Sequence, residues 1–406
     1  MKKILNPLKL LINDTRFTGV MLIVCTLLSL FLANSANLES IYKNIWSSTW
    51  VPENSTISLP ENFKSLINNF LMAFFFLMAG MEIRRELISG ELSTFKKASL
   101  PFGAALGGMV VPALVFLAFN IHTEYANGWG IPTATDIAFS LGIASLLGKR
   151  VPIALKVLLM ALAIIDDLGA ILVIALFYGE HLNLIFLSIA GLLFSSLLFL
   201  NYLKVKFGAI HVVLSLLLWL AIFNSGIEAS IAGVLVAFAL PINILPKIEG
   251  AIHGYVNFLI LPLFALANTA ILLPKEFAKS LESPLAMGII AGLVIGKPLG
   301  IFLFSRLMVA FKLANLPKNT SWNQIIGMGV LAGIGFTMSI FTGMLAFKNE
   351  QFQNIAKVAI IVGVAVSLII SVVYFFVLGI KKVALKGRIF KINQSAFSEN
   401  LASRLG

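Results

Sequence analysis

VPIALKVLLMALAIIDDLGAILVIALFY, residues 151–178, is one continuous apolar run with two adjacent carboxylates, Asp166 and Asp167, near its middle. About 20 apolar residues cross a bilayer as a helix, and this run is longer. A carboxylate at the centre of a spanning helix costs roughly 2.5–3.5 kcal/mol on insertion scales, so a consecutive pair needs a strong reason to be there. The chain has only four aspartates, Asp14, Asp136, Asp166 and Asp167, and the last three lie inside apolar runs. Aspartates withheld from loops and placed at membrane depth point to work on a cation or a proton.

Composition agrees with a membrane protein. Hydrophobic residues make up 59% of the 406 and charged residues 12%, against about 25% charged in soluble domains, and the mean hydropathy is +0.97. The single cysteine, Cys25, excludes a disulfide framework and a zinc cluster.

Apolar runs place twelve spans, at 15–34, 63–85, 98–119, 124–147, 151–178, 182–200, 208–222, 226–241, 250–271, 284–308, 322–347 and 353–383. An even count puts both termini on one side. With that side inside, twenty-three lysines and arginines fall in inner segments and six in outer ones, and Lys297 lies within a span. The positive-inside rule therefore sets both termini in the cytoplasm and accounts for the net charge of +12 without nucleic acid. The basic head, apolar run and small-residue end of 1–36 resemble a signal peptide. The long head containing Asp14 and the even span count favour an uncleaved first helix. The whole chain reads as one integral membrane domain.

Several spans depart from a plain apolar helix. In 124–147, Pro132 removes a backbone donor and is followed by Thr133, Thr135 and Asp136. Irregular backbone at membrane depth persists only where it lines a cavity enclosed by protein. A helix–break–helix is expected here, with an ion site at the break; the competing reading is a proline kink. In 322–347, Gly333, Gly335, Thr337 and Ser339 mark a second candidate break, with close glycine packing as the equal alternative. Lys297 lies deep in GLVIGKPLG and must be paired, neutral or in a cavity; the buried partners available are Asp136, Asp166 and Asp167. The small-residue string GAALGGMVVP, 103–112, reads as helix packing.

At the inner end of the second span, Glu82, Arg85 and Glu86 share a helical face. They form either a charged funnel for cations or a capped end with internal ion pairs. Glu249 and His253 share another face at an inner end. The outer loop 35–62, with Trp46, Trp50, Val51, Pro52, Ile57 and Leu59, reads equally as a β-hairpin or an irregular loop. Spans three to five (98–178) and ten to twelve (284–383) are both triplets with an interrupted middle member, and the tenth enters from the side opposite to the third. Inverted repeats with broken helices are a transporter signature.

With ALAIIDDLGAI (161–171), IPTATDIAFSLG (131–142), GKPLGI (296–301) and GIGFTMSIF (333–341), the chain resembles the NhaA-type sodium/proton antiporters over essentially its whole length. The resemblance implies an all-α protein of twelve transmembrane helices with inverted repeats and two discontinuous crossing helices. It implies Na+ and proton binding at Asp166 and Asp167, with Asp136 and Thr135 at the helix crossing and Lys297 paired with Asp166. It implies a pH-regulating cytoplasmic cluster of Glu82, Arg85, Glu86, Glu249 and His253, and a dimer-forming hairpin at 35–62. Asn224, Glu228 and Gly250 depart from the residues of well-studied members, which leaves exchange intact and puts the pH threshold in question.

The expected function is electrogenic export of Na+, and of Li+, in exchange for H+ across the bacterial inner membrane, serving sodium and pH homeostasis. No enzymatic activity, cofactor or nucleic-acid partner is expected; the partners are the ions, the lipid bilayer and a second copy of the chain. The alternative is a sodium-coupled solute symporter. A channel is disfavoured by the intramembrane lysine. An intramembrane aspartyl protease is disfavoured because the sequence lacks the Tyr–Asp and Gly-x-Gly-Asp patterns.

Overall fold

The structure, a computed structural model, describes the backbone of residues 15–50, 58–179, 182–272, 277–318 and 320–405. Side chains are described over 17–50, 58–179, 182–272, 279–318 and 320–379. The basic head 1–14, the middle of the expected hairpin at 51–57 (with Val51, Pro52 and Ile57) and the side chains of the tail cations lie outside the described residues.

The described chain is helical throughout. Its elements are α1 (Thr15–Ala33), α2 (Glu39–Ser47), α3 (Phe63–Ser89), α4 (Phe95–Asn120), α5 (Ile137–Leu146), α6 (Ile153–Phe177), α7 (Leu184–Tyr202), α8 (Ala209–Phe223), α9 (Ile231–Ala239), α10 (Ile242–Asn268), α11 (Phe277–Leu281), α12 (Pro284–Ala310), α13 (Trp322–Ala332), α14 (Phe336–Ala346) and α15 (Glu350–Leu405). Seven of them, α3, α4, α6, α7, α10, α12 and the first part of α15, are long and apolar enough to cross a membrane, and the bent pair α13–α14 makes an eighth. Helix occurs at each of the other four places where the sequence set a span, but there it is short or broken. The helices α8 and α9 have 15 and 9 residues, and the apolar stretch of α1 is Phe17–Ala33. In 124–147 the first half is a 3-10 segment, Ala126–Thr133, and only the second half, α5, is an α-helix.

Local chemistry explains where helices begin. Asn183 caps α7 by accepting from the amides of Ile185 and Phe186. Ser283 caps α12 by accepting from Ala286 N at 3.2 Å, with Pro284 in the first turn, where its missing N–H costs nothing. Three long helices carry a π-turn: α3 at Leu66–Leu71, α10 at Val256–Ile260 and α12 at Gly292–Gly296, directly before Lys297.

Of the outer segment 35–62, read from sequence equally as a β-hairpin or an irregular loop, the structure describes the part before 51 and the part after 57. Residues 39–47 form α2, whose Tyr42 and Trp46, four apart, turn one face inward and meet edge to face at 5.7 Å. Trp46 then stacks on Phe63 at 5.7 Å. A single antiparallel bridge, Thr49 to Asn62, follows. Helical i, i+4 pairing of two aromatics overrides the alternating pattern.

The core is packed by small residues and phenylalanines. A Cβ on Gly107 of α4 would lie 2.2 Å from Gly300 O of α12, and one on Gly300 would lie 2.0 Å from Gly107 O, so these backbones touch. The Phe341 ring sits 5.4 Å from that of Phe76 and 6.3 Å from that of Phe264, all three buried. The outer faces of α7 and α8 expose Leu184, Ile185, Leu192, Phe199 and Val213, an apolar exterior suited to lipid. Two triplets recur along the chain: α4, a break, α6; and α12, a break, α15.

Candidate ion site at two helix breaks

The segment Ala134–Asp136 is extended, with φ −82° and ψ 152° at Ala134, because Pro132 and the residue before it cannot continue an α-helix. Gly333–Gly335 interrupts α13 and α14, which bend by 51°. The two breaks touch: Asp136 N donates to Ile334 O at 2.9 Å. A Cβ on Gly335 would lie 2.6 Å from Ala134 O, so the approach requires glycine.

At this crossing Asp136 caps two helices at once. Its Oδ1 accepts from Phe139 N of α5 at 2.9 Å, and its Oδ2 accepts from the amide and hydroxyl of Thr337 in α14 at 3.1 and 2.5 Å. Two helix N-termini, each the positive end of its dipole, converge on one buried carboxylate. The carbonyl ends face the opposite kind of group. Lys297 Nζ donates to Thr133 O, and Thr135 Oγ1 lies 3.0 Å from Ala332 O.

Adjacent helical side chains diverge by about 100°, and on α6 the two aspartates part accordingly. Asp166 Oδ2 is 2.8 Å from Lys297 Nζ and accepts from Thr135 Oγ1 at 2.7 Å. Asp167 faces a cavity of about 180 Å³ lined also by Glu82, Glu249, His253, Asn257 and Met160. Both aspartates, Thr135, Asp136 and Lys297 are buried. The Oδ1 atoms of Asp166 and Asp167 are buried without a hydrogen-bond partner among the described residues. Such carboxylate oxygens bind protons or ligate hard cations. Threonine hydroxyls and the open carbonyls of the breaks add ligands of the same kind.

At the cavity mouth Arg85 Nη1 donates to both carboxylate oxygens of Glu249, at 2.7 and 2.6 Å, and Glu82 lies 3.8 Å from Arg85 Nη2. His253 meets Asn257 at 3.1 Å. The structure thus gathers Glu82, Arg85, Glu249 and His253. Glu86 does not line the cavity; its Oε2 accepts from Glu91 N at 2.8 Å and ties down the turn after α3. Asn224 instead holds the segment near residue 58, accepting from Ser58 N at 2.8 Å. Sequence reasoning did not anticipate Thr337 as the partner of Asp136, although its place two residues after Gly335 is where a helix N-terminus offers a free amide.

An apolar helical exterior around buried carboxylates, a buried lysine and a cavity reaching in from one end defines a multi-pass membrane protein that handles small cations. The family described as Na+/H+ antiporter 1 matches residues 9–375, and the chain belongs to it. Relatives named Na+/H+ antiporter NhaA from Escherichia coli O1:K1, Salmonella paratyphi A and Salmonella typhi are each 44% identical over 362 residues, which is 87% of this chain and 93% of the relative.

Proposed function

We propose that this chain exports Na+, and Li+, in exchange for a larger number of protons, with Asp166 and Asp167 carrying the ions. The observation that carries this reading is the difference between the two neighbours: Asp166 is held by Lys297, and Asp167 faces the cavity with its Oδ1 buried and without a hydrogen-bond partner among the described residues. Sodium entering from the Glu82 end meets Asp167, then draws Asp166 away from Lys297. Protons compete for the same oxygens, because one carboxylate oxygen cannot serve both at once. Exchange of one sodium against protons on two carboxylates and a lysine moves net charge.

The remaining parts of the reading have separate supports. Twelve spans, with both ends of the chain on the Glu82 side in the bacterial inner membrane, are supported by the distribution of lysine and arginine and by helix at each expected place. The two triplets with interrupted middle members support inverted repeats and discontinuous crossing helices. Asp136 and Thr135 order the crossing, and the Glu82, Arg85, Glu249 and His253 cluster tunes cation entry with pH. Homodimerisation through 35–62 rests on the family resemblance. A cavity near 180 Å³ is below the roughly 300–1,000 Å³ of small-molecule pockets, which disfavours a solute symporter.

The test is sodium-induced collapse of a preformed pH gradient in everted vesicles, with membrane voltage monitored, from neutral to alkaline pH. The expected result is collapse in wild type and none in Asp166→Asn or Asp167→Asn. Sodium without effect on the wild-type gradient at any pH overturns the reading.

A further inference from the structure

Asn257 is the second residue of the π-turn Val256–Ile260 in α10, and it is buried. It lines the same cavity of about 180 Å³ as Asp167 and Glu82, and the exchange cycle proposed above does not use it. His253 lies one turn earlier on the same helix. The carboxamide Nδ2 of Asn257 is 3.1 Å from Nε2 of His253 and 3.4 Å from its Nδ1, so the NH2 group covers the ring. Among the described residues both hydrogen-bonding contacts of this side chain run through Nδ2, which leaves Oδ1 to the cavity that the residue lines.

We propose that Asn257 is a positioning residue that converts the charge state of His253 into the polarity of the cavity wall on the route to Asp167. A neutral imidazole keeps one ring nitrogen as an acceptor, whereas an imidazolium has two N–H donors and no acceptor. The neutral ring therefore holds the amide NH2, and the charged ring repels it and draws the amide oxygen. The two ends of a carboxamide have nearly the same shape, so a half-turn about χ2 exchanges them without repacking. With His253 neutral, the oxygen end of the dipole lines the cavity and favours a cation. With His253 charged, the NH2 end lines it and opposes one.

Among the described residues the charged and titratable groups that share the cavity with His253 are Glu249 on α10, Glu82 on α3 and Asp167 on α6, with Arg85 of α3 paired to Glu249. The residues that α1 and α5 turn to the cavity, Thr18, Ile137, Ala138 and Leu141, carry no charge. The three carboxylates attract cations whichever way the amide points, so the contribution of Asn257 is separable from theirs. Acid on the Glu82 side charges His253 and closes the route; alkali opens it. Exporting sodium brings protons to that side, so the exchange is slowed by its own product. This direction, and the transport readout below, rest on the antiport reading.

The experiment is a double-mutant cycle of Asn257→Ala and His253→Gln in everted vesicles, whose medium bathes the Glu82 side. The quantity read is the sodium concentration at half-maximal collapse of the pH gradient. At about pH 6, below the ordinary midpoint of a histidine, His253→Gln should lower that concentration by a factor about threefold larger in the parent than in the Asn257→Ala background. At about pH 8.5, where an ordinary histidine is neutral, the two factors should agree. A second readout needs no transport. Met160→Cys in a Cys25→Ser background places a thiol in the cavity. The ratio of its reaction rates with trimethylammonioethyl methanethiosulfonate, always cationic, and with uncharged methyl methanethiosulfonate cancels the ionisation of the thiol. His253→Gln should raise that ratio at the acid pH by more in the parent than in the Asn257→Ala background. An equal effect of His253→Gln in the two backgrounds, in exchange or in labelling, overturns the role of Asn257. Absence of sodium-driven exchange in wild type overturns the antiport reading alone, and labelling then decides the gate.

Discussion

The ammonium of Lys297 lies 2.8 Å from Oδ2 of Asp166, and neither side chain has any exposed surface. Removing one partner strands the other. Lys297→Ala should lower stability by about 3–5 kcal/mol, read as a fall in the thermal midpoint of the detergent-solubilised protein. Adding Asp166→Asn should restore part of the loss, since no buried charge is then unpaired. Additive effects in the double variant would contradict the pairing.

Thr135 has one hydroxyl proton and two acceptors in range, Asp166 Oδ2 and Ala332 O. Thr135→Val keeps the shape and loses the donor, at a cost of about 1–3 kcal/mol for unsatisfied buried oxygens. Thr135→Ser should retain most of the function. The check is the sodium concentration at half-maximal exchange, which should rise in the valine variant and stay near wild type in the serine variant. Equal behaviour of the two variants would show that the hydroxyl is not used.

Asp136 caps α5 and α14 together, so its loss removes two caps at about 0.5–2 kcal/mol each. Asp136→Ala should therefore destabilise more than Asp136→Asn, whose amide oxygen still caps one helix. Hydrogen–deuterium exchange at the amides of Phe139 and Thr337 locates the effect: both should exchange faster in the alanine variant. Faster exchange at one of them alone would mean that the caps are independent.

Arg85 and Glu249 sit at the cavity mouth with side chains 38% and 17% exposed. Such a pair contributes little to stability, about 1 kcal/mol or less. Arg85→Ala should leave the thermal midpoint nearly unchanged and displace the pH profile of sodium-driven proton movement, with a dependence on ionic strength. An unchanged profile at low salt would remove the cluster from pH control.

Gly107 and Gly300 let two backbones touch. Gly300→Ala should separate α4 from α12 and cost about 1–3 kcal/mol. It should also slow exchange, since α12 carries Lys297. A fall in melting temperature with transport unaffected would uncouple this packing from the site.

Much of this molecule is written locally. Asp166 and Asp167 declare themselves by their cost in an apolar run, Lys297 does the same, and Pro132 and Gly333 mark the breaks by removing donors and side chains. What is not local is harder to read. Thr337 meets Asp136 across 201 residues, and only the crossing of the two breaks brings them together. Glu86 shares a helical face with Glu82 and Arg85, yet a free amide five residues on, at Glu91, captures it. The Tyr42–Trp46 face of α2 answers to Phe63 beyond the loop, which alternation along the loop cannot register. Helices as short as the nine residues of α9 fall below a length rule for membrane crossing, although the apolar pattern marks them.

The π-turn at Gly292–Gly296 has a consequence for ancestry as much as for mechanics. A π-turn is one residue more than the α-helical ladder needs, so it acts as a frameshift in the order of faces around α12. Every side chain beyond it is turned by about 100° relative to an uninterrupted helix, and Lys297 is the first to be turned. The direction in which the lysine points thus depends on the one extra residue in the turn before it. An insertion or deletion of a single codon there would reassign the helix's polar face without changing any residue that touches an ion.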